Sequence, residues 1–384
     1  MRMKKLFILA VAATALVACS RTFDTQKVAP QEIGFGTWTE HLTKAEARVQ
    51  GTNDFLAGDT FAVYGYKETT SPAAKVTVFD DDVVTASGSG TLSWDYDNHR
   101  YWDTNYDQYV FFGVSPSSFG TGGTVTPQTG AISTDVTFAG KDSDILIANK
   151  TVVEKGTAPY FNNFGKVEMV FNHAASLVDI IVKKSPALED ATVEVTEFEL
   201  QKILSSGTLS VSEYAASTPF TPTIAIANWT SPSTPATYDY EDCVGTVTLP
   251  LTVDLDADFP GATASDEPNA SANSKVIDNL VVMPQTFDTD KDADSQQIVL
   301  TYTITTTDAA NNTSTNTYED KVLYLCDFDN IDDEDQGGDT SIASWQPGKH
   351  YIFFITIDAH EITFSASINN WDPTVINGYN YLVN

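Results

Sequence analysis

Runs of the helix-favouring residues Leu, Lys, Glu and Arg are scarce in this chain, and cations are few. Lys and Arg number 21 against 52 Asp and Glu, a formal net charge of −31 over 384 residues. So acidic a surface argues against nucleic acid and anionic lipid as partners, and favours solubility, extracellular exposure or cation binding. Catalytic signatures are missing too. There is no G-x-S-x-G, since Gly88-Ser89-Gly90 is only a turn, and no glycine loop built for phosphate. His360-Glu361-Ile362-Thr363-Phe364 begins like a zinc-protease helix, but Phe364 stands where the second histidine belongs, and the run lies at a strand start. The five histidines are far apart in sequence. The chain reads as no enzyme, with no catalytic residue, no metal site and no cofactor.

What is plentiful belongs to a β protein. Thr, Ser, Asp, Val and Tyr are plentiful, and the length suffices for two β-domains with real cores. The stretch Val167 to Lys184 organises the reading. Two alternating apolar runs, Val167, Met169, Phe171 and then Leu177, Ile180, Val182, flank a short turn at Asn172 to Ser176. Period-two alternation puts one side of each run on a core, as in a β-hairpin or the corner of a sandwich. His173, at the bend, suits a structural role in locking the turn.

In chain order, Met1 to Ala18 is a targeting segment. Arg2, Lys4 and Lys5 form its basic end, and the apolar run Leu6 to Leu16 is too short to span a bilayer permanently. Leu16-Val17-Ala18-Cys19 resembles the bacterial lipobox, whose cysteine is lipidated after cleavage; the alternative is an ordinary secretory signal with a stray cysteine. Loss of Arg2, Lys4 and Lys5 takes the charge from −31 to −34. Acyl chains on Cys19 would hold the chain at a membrane through their buried CH₂ groups. Residues 19–48 read as a tether with one strand candidate, Glu32 to Trp38, in which Ile33 and Phe35 alternate.

Strands are predicted at Thr60 to Tyr66, Gly90 to Tyr96, Tyr101 to Asp103 and Tyr109 to Val114, the last apolar enough to be buried on both faces and ended by Pro116. Ser117 to Gly130 reads as an exposed loop. A boundary is placed near Asn162, giving domains over 49–162 and 163–384. Thr192 to Ile203 alternates through Val193 and Val195, then Phe198 and Leu200, a change of phase that predicts a bulge. Ser217 to Asp242 reads as a long irregular insertion. Strands resume at Gly245 to Val253, Lys275 to Met283, Gln297 to Thr307 and Tyr318 to Leu325, and a terminal pair runs from Lys349 to Ile357 and Glu361 to Trp371.

Several ordered landmarks resemble the fimbrillin-like proteins of Bacteroides-type bacteria, a family of lipoprotein pilins and adhesins. They are Cys19, F-x-A-G-D at Phe55 to Asp59, Asp144-Ile145-Leu146-Ile147-Ala148, F-x-H-x-x-S at Phe171 to Ser176, Met283-Pro284-Gln285, and P-G-K-x-Y at Pro347 to Tyr351, ending at Trp371. The resemblance implies an all-β fold of two tandem β-sandwich (transthyretin-like) domains behind a lipoprotein signal. It implies a subunit at the outer membrane and cell surface, with other pilin subunits as partners and a host or bacterial surface ligand. An arginine-specific protease would cut after Arg48, removing the leader whose plugs are Ile33 and Phe35; Arg48 reads equally as a solvated arginine in a loop. A neighbour's terminal strand would then fill the gap, and the donor candidate is the tail with Val375, Tyr379, Tyr381 and Val383. The same tail could instead complete its own domain.

A rival class is a surface glycan-binding lipoprotein of a nutrient-uptake system, with Trp94, Tyr96, Tyr101, Trp102, Tyr106 and Tyr109 as its aromatic platform. Cys243 and Cys326 could form a disulfide or remain two buried thiols. Asp288 to Asp294 and Asp327 to Asp335 invite a calcium reading, but the EF-hand glycine and bidentate glutamate are missing from the first and Ile331 fills a ligand slot in the second. Both read as solvated acidic loops.

Overall fold

A computed structural model describes residues 31–35, 55–88, 92–118, 124–128, 131–138, 144–156, 166–211, 224–231, 237–240, 247–249, 275–328, 341–359, 362–370 and 374–376. Cys19, Arg48, Cys243, His360, Glu361, Tyr379, Tyr381 and Val383 lie outside them. Among the described residues the regular structure is strand, broken by short 3₁₀ turns such as Pro186–Leu188.

The largest sheet runs in the order Thr374–Ile376, Met169–His173, Leu146–Ala148, Gln108–Ser115, Thr60–Thr70, Ala73–Ser87, Ser93–Tyr96, with Thr151–Glu154 also on Gln108–Ser115. Its central strand, Gln108–Ser115, is buried from Tyr109 onward. Alternation sends Tyr109 and Phe111 to one core and Val110, Phe112 and Val114 to another. A second sheet, Trp229–Thr230, Ser206–Val211, Ala131–Thr137 and Thr124–Thr126, supplies Ile132, Val136, Leu209, Val211 and Trp229 to the Val110 side. The Phe111 side is closed by Ile33 and Phe35.

Two further sheets share one core. The first is Lys275–Val282, Ser176–Lys184, Lys349–Ile357, Ile362–Asn370; the second is Thr237–Tyr240, Thr192–Leu204, Gln297–Thr307, Thr313–Tyr324. Val178, Ile180, Val182, Phe353 and Ile355 of the first cluster with Val193, Val195, Phe198, Leu200, Ile298 and Leu300 of the second. The phase change along Thr192–Leu204 is a bulge: its pairing with Gln297–Thr307 slips between Val195 and Glu197. The terminal pair is in register from Lys349↔Asn370 to Ile357↔Ile362.

The organising stretch is a corner and not a hairpin. Met169–His173 pairs with Leu146–Ala148, whereas Ser176–Lys184 pairs with Lys275–Val282 and runs parallel to Lys349–Ile357. The chain leaves one sheet and enters another at Ala174-Ala175, which places the two runs in different hydrogen-bond ladders. Strands on either side of Asn162 pair with one another. Met169–His173 pairs with Leu146–Ala148 and Ser206–Val211 with Ala131–Thr137, and Thr374–Ile376 joins the large sheet through Met169–His173, so strand pairing interleaves across that position.

Candidate functional site: the socket of the leading strand

Residues 31–35 enter the fold as a short extended segment held on two sides. Gln31–Ile33 runs antiparallel to Arg100–Trp102 through the bridge Glu32↔Tyr101, with Ile33 N donating to Arg100 O at 2.8 Å and Trp102 N to Gln31 O at 2.9 Å. Gly34–Phe35 then pairs in parallel with Lys166–Val167. Period two points Ile33 and Phe35 the same way, and both are buried, at 0 and 3 % exposure.

Phe35 meets four rings. Its centroid lies 5.7 Å from Phe61, Phe79 and Tyr96 and 6.2 Å from Phe111, all at steep edge-on angles. Phe61 and Phe111 come from neighbouring strands of the large sheet, Phe79 and Tyr96 from the strands that curl over them. Burying side chains of this size contributes about 1.5–3 kcal/mol each. The main-chain bonds are few by comparison, so apolar fit carries most of the hold. Tyr96 also donates its hydroxyl to the Ile33 carbonyl at 2.5 Å and accepts from Arg100 N at 3.1 Å. Burial pushes its phenol up to about 12, against the lowering effect of the Arg100 N–H. Glu32 meets His99 at 3.0 Å, but both are about two-fifths exposed and the pair adds little.

The other end of the chain reaches the same element. Thr374–Ile376 is antiparallel to Met169–Phe171, with Val375 opposite Val170. Lys166–His173 therefore borders the first described strand at one end and the last at the other. Val375, expected as a donor residue, is engaged in its own sheet, because three residues of backbone pairing hold it there. Tyr379, Tyr381 and Val383 lie outside the described residues, as do the expected processing and lipidation positions.

Of the six aromatics offered as a platform, Trp94, Tyr96, Trp102 and Tyr109 are buried around the leading strand. Tyr101 is 51 % exposed, and Tyr106 lies under the Lys67 ammonium at 4.1 Å from its centroid. Spacing alone could not separate a surface row from a core. Sequence reasoning missed Phe79 and Arg100 as parts of the socket, and found Tyr96 only as the end of a strand and a platform member.

His173 is fixed by Asp144, Nδ1 to carboxylate oxygen at 3.0 Å with both groups buried. Two landmarks thus meet through one buried pair at the corner. Beside it Trp229 Nε1 donates to Ala174 O at 3.0 Å, Ser176 Oγ to Gln346 O at 2.8 Å, and Gly348 N to Ala175 O at 2.8 Å. In the first acidic run the carboxylates cap their own loop: Asp288 accepts from Asp290 N and Asp292 from Asp294 N, each at 2.9 Å. Lys291 pairs with Asp327. Cys326 is a buried free thiol.

The family model described as fimbrillin-like matches residues 43–371. The chain belongs to the fimbrillin-like family. Membership supports a pilus subunit or adhesin at the cell surface that assembles with other pilin subunits. A solved structure agrees in fold. A fimbrial protein from Bacteroides vulgatus aligns at 17 % identity and TM-score 0.55, over 89 % of this fimbrillin-like chain and 99 % of that one. A putative cell adhesion protein from Bacteroides uniformis aligns at 13 % and 0.45, over 89 % and 98 %. The tip fimbrial protein of Porphyromonas gingivalis aligns at 12 % and 0.35, over 85 % and 97 %. No curated protein matches the sequence. Among the described residues no helix is long and apolar enough to cross a membrane.

Proposed function

We propose that this fimbrillin-like protein is a lipid-anchored outer-membrane subunit of a pilus, or a pilus-associated adhesin, assembled by strand exchange. Cys19 carries the anchor. Cleavage after Arg48 releases Gln31–Phe35, and a strand from a neighbouring copy enters the vacated socket by β-augmentation. The observation that carries this reading is the socket itself: a segment ahead of Arg48 contributes Ile33 and Phe35 to a core whose other walls all come from beyond it. Removing such a segment bares apolar walls and unpaired main-chain groups, which a second strand can satisfy.

Thr374–Ile376 stays paired with its own sheet and roots the tail, and Tyr379, Tyr381 and Val383 reach the neighbour. Two measurements test the reading. The N-terminal residue of protein recovered from cells is expected to be Val49; a chain still beginning at Cys19 in assembled fibres counts against cleavage. Deletion of residues 377–384 is expected to abolish polymer ladders on a gel, and unchanged ladders refute the donor role of the tail.

A further inference from the structure

The socket grips the leading strand by more than its apolar walls. Ile33 is held at both polar groups of its residue: its N–H donates to Arg100 O at 2.8 Å and its carbonyl accepts from the Tyr96 hydroxyl at 2.5 Å. The hydroxyl in turn accepts from Arg100 N at 3.1 Å. The Tyr96 ring is also a wall of the cage around Phe35, at 5.7 Å. One side chain therefore reads a carbonyl at one residue and a ring two residues later. Arg100 is itself immobilised, with Nε donating to Val78 O at 3.1 Å, Nη2 at 3.2 Å from Asp82, and its guanidinium over the Phe79 ring at 5.8 Å.

We propose that Tyr96 and Arg100 form a register clamp for whichever strand occupies the socket. On the leading strand the clamp holds Ile33 by its carbonyl and Phe35, two positions on, in the cage; an incoming strand brings a main-chain carbonyl to Tyr96 and, two positions on, an aromatic side chain to the cage. Apolar walls alone discriminate poorly, because cavities tolerate different side chains of similar volume. A slip of one residue turns the apolar side chains away from the core. A slip of two keeps the apolar face and brings another main-chain carbonyl to the Tyr96 hydroxyl, but it takes Phe35 out of the four-ring cage and leaves a void there. Through assembly, the inference rests on the strand-exchange reading; in the uncut chain it stands on the leading strand alone.

The clamp has a second consequence. Beyond Ala18 the sequence contains Arg21, Arg48 and Arg100 as its arginines. The Arg100–Tyr101 peptide bond lies beneath the leading strand, its carbonyl taken by Ile33 N–H and Tyr101 bridged to Glu32. A protease needs that backbone extended and free. An arginine-specific endopeptidase thus adds water across Arg100–Tyr101 only when the socket is vacant, and cutting there reports that vacancy.

Amide hydrogen exchange on the full, uncut chain tests the clamp. Tyr96→Phe keeps the cage ring and removes the hydroxyl, so the Ile33 and Trp102 amides are expected to exchange roughly five- to tenfold faster while Phe353 in the distant core is unchanged. Unchanged exchange at Ile33, or an equal rise at Phe353, overturns the clamp. Digestion of the same chains by an arginine-specific endopeptidase gives the second readout, with and without added synthetic peptide of residues 31–38. Cleavage is expected at Arg48 before Arg100, with the Arg100 cut brought forward roughly five- to tenfold in Tyr96→Phe and delayed by the peptide. Equal Arg100 rates in the two chains overturn the clamp. A Tyr96-dependent Arg100 rate without replacement of the leader by peptide sinks strand exchange and leaves the clamp standing.

Discussion

Phe35 touches four rings from four strands and almost no solvent, so its removal leaves a cavity that those strands cannot close. Phe35→Ala is expected to cost about 3–5 kcal/mol in denaturant unfolding, with Ile33→Ala close behind. At the corner, His173→Ala strips Asp144 of its buried partner; a loss of about 3–5 kcal/mol is expected, and Asp144→Asn, which keeps an acceptor, is expected to lose less. Alkaline titration provides a third handle. Tyr96, Tyr109 and Tyr351 are each pushed up to about 12, first of all by burial. Their unfolded phenols ionise near 10, so the neutral folded form is favoured. The stability they contribute is complete below pH 10 and drains away as pH rises through about 12. Absorbance at about 295 nm, where phenolate is seen, is expected to rise in step with unfolding and not ahead of it. Asp103 behaves in the opposite sense: burial would raise it, but bonds from Lys67 and Asn105 outweigh that and hold it low. Its contribution fades only in strong acid, as pH falls through that lowered value.

At the level of strands, close approach is the recurring constraint. Gly65 sits where Thr60–Thr70 meets Gln108–Ser115, and a Cβ there would stand 2.8 Å from Val110 O and 3.1 Å from the Phe111 ring. The first contact is backbone and cannot swing away. Gly65→Ala is expected to lose about 1–3 kcal/mol and to speed amide exchange along the central strand. The parting of Met169–His173 from Ser176–Lys184 has a similar logic. A two-residue connection, with Ala174 and Ala175 buried, leaves no room for larger side chains under Trp229, whose indole is bonded to Ala174 O. The register at that corner then ties Gly348, through its bond to Ala175, to the same point.

Over the whole molecule the acidic excess, −31 for the full sequence and −34 once Arg2, Lys4 and Lys5 are lost, acts on every encounter between copies. Like-charged subunits repel at a distance, and salt screens them over about 10 Å at 0.1 M. Assembly of processed subunits is expected to quicken with ionic strength between low and moderate salt, as followed by light scattering; a rate that falls with salt would show complementary charges to be steering the contact. The exposed strand Thr313–Tyr324 lies at the edge of its sheet and carries Glu319, Asp320 and Lys321, with Asp320 at φ 50. Charge and a kink at such an edge discourage lateral pairing. The end-to-end contact proposed for the leading socket would then have little competition from that edge.

Some of this was written in the local order of residues. Val193, Val195, Phe198 and Leu200 announce a bulge because a period of two has no other way to change phase. Tyr109 to Val114 announces a strand with two cores because it leaves no polar face. Ile33 and Phe35 alternate, which is enough to expect a short strand, and the family resemblance adds that they are plugs. What alternation leaves open is which strand lies beside which, since it names a face and never a neighbour. Only the folded chain decided that Met169–His173 and Ser176–Lys184 part company, that four aromatics near Trp94 turn inward around Phe35, and that Tyr96 and Arg100 meet Ile33. Those contacts join residues tens of positions apart, and they are fixed by packing and main-chain pairing that no short window of sequence contains.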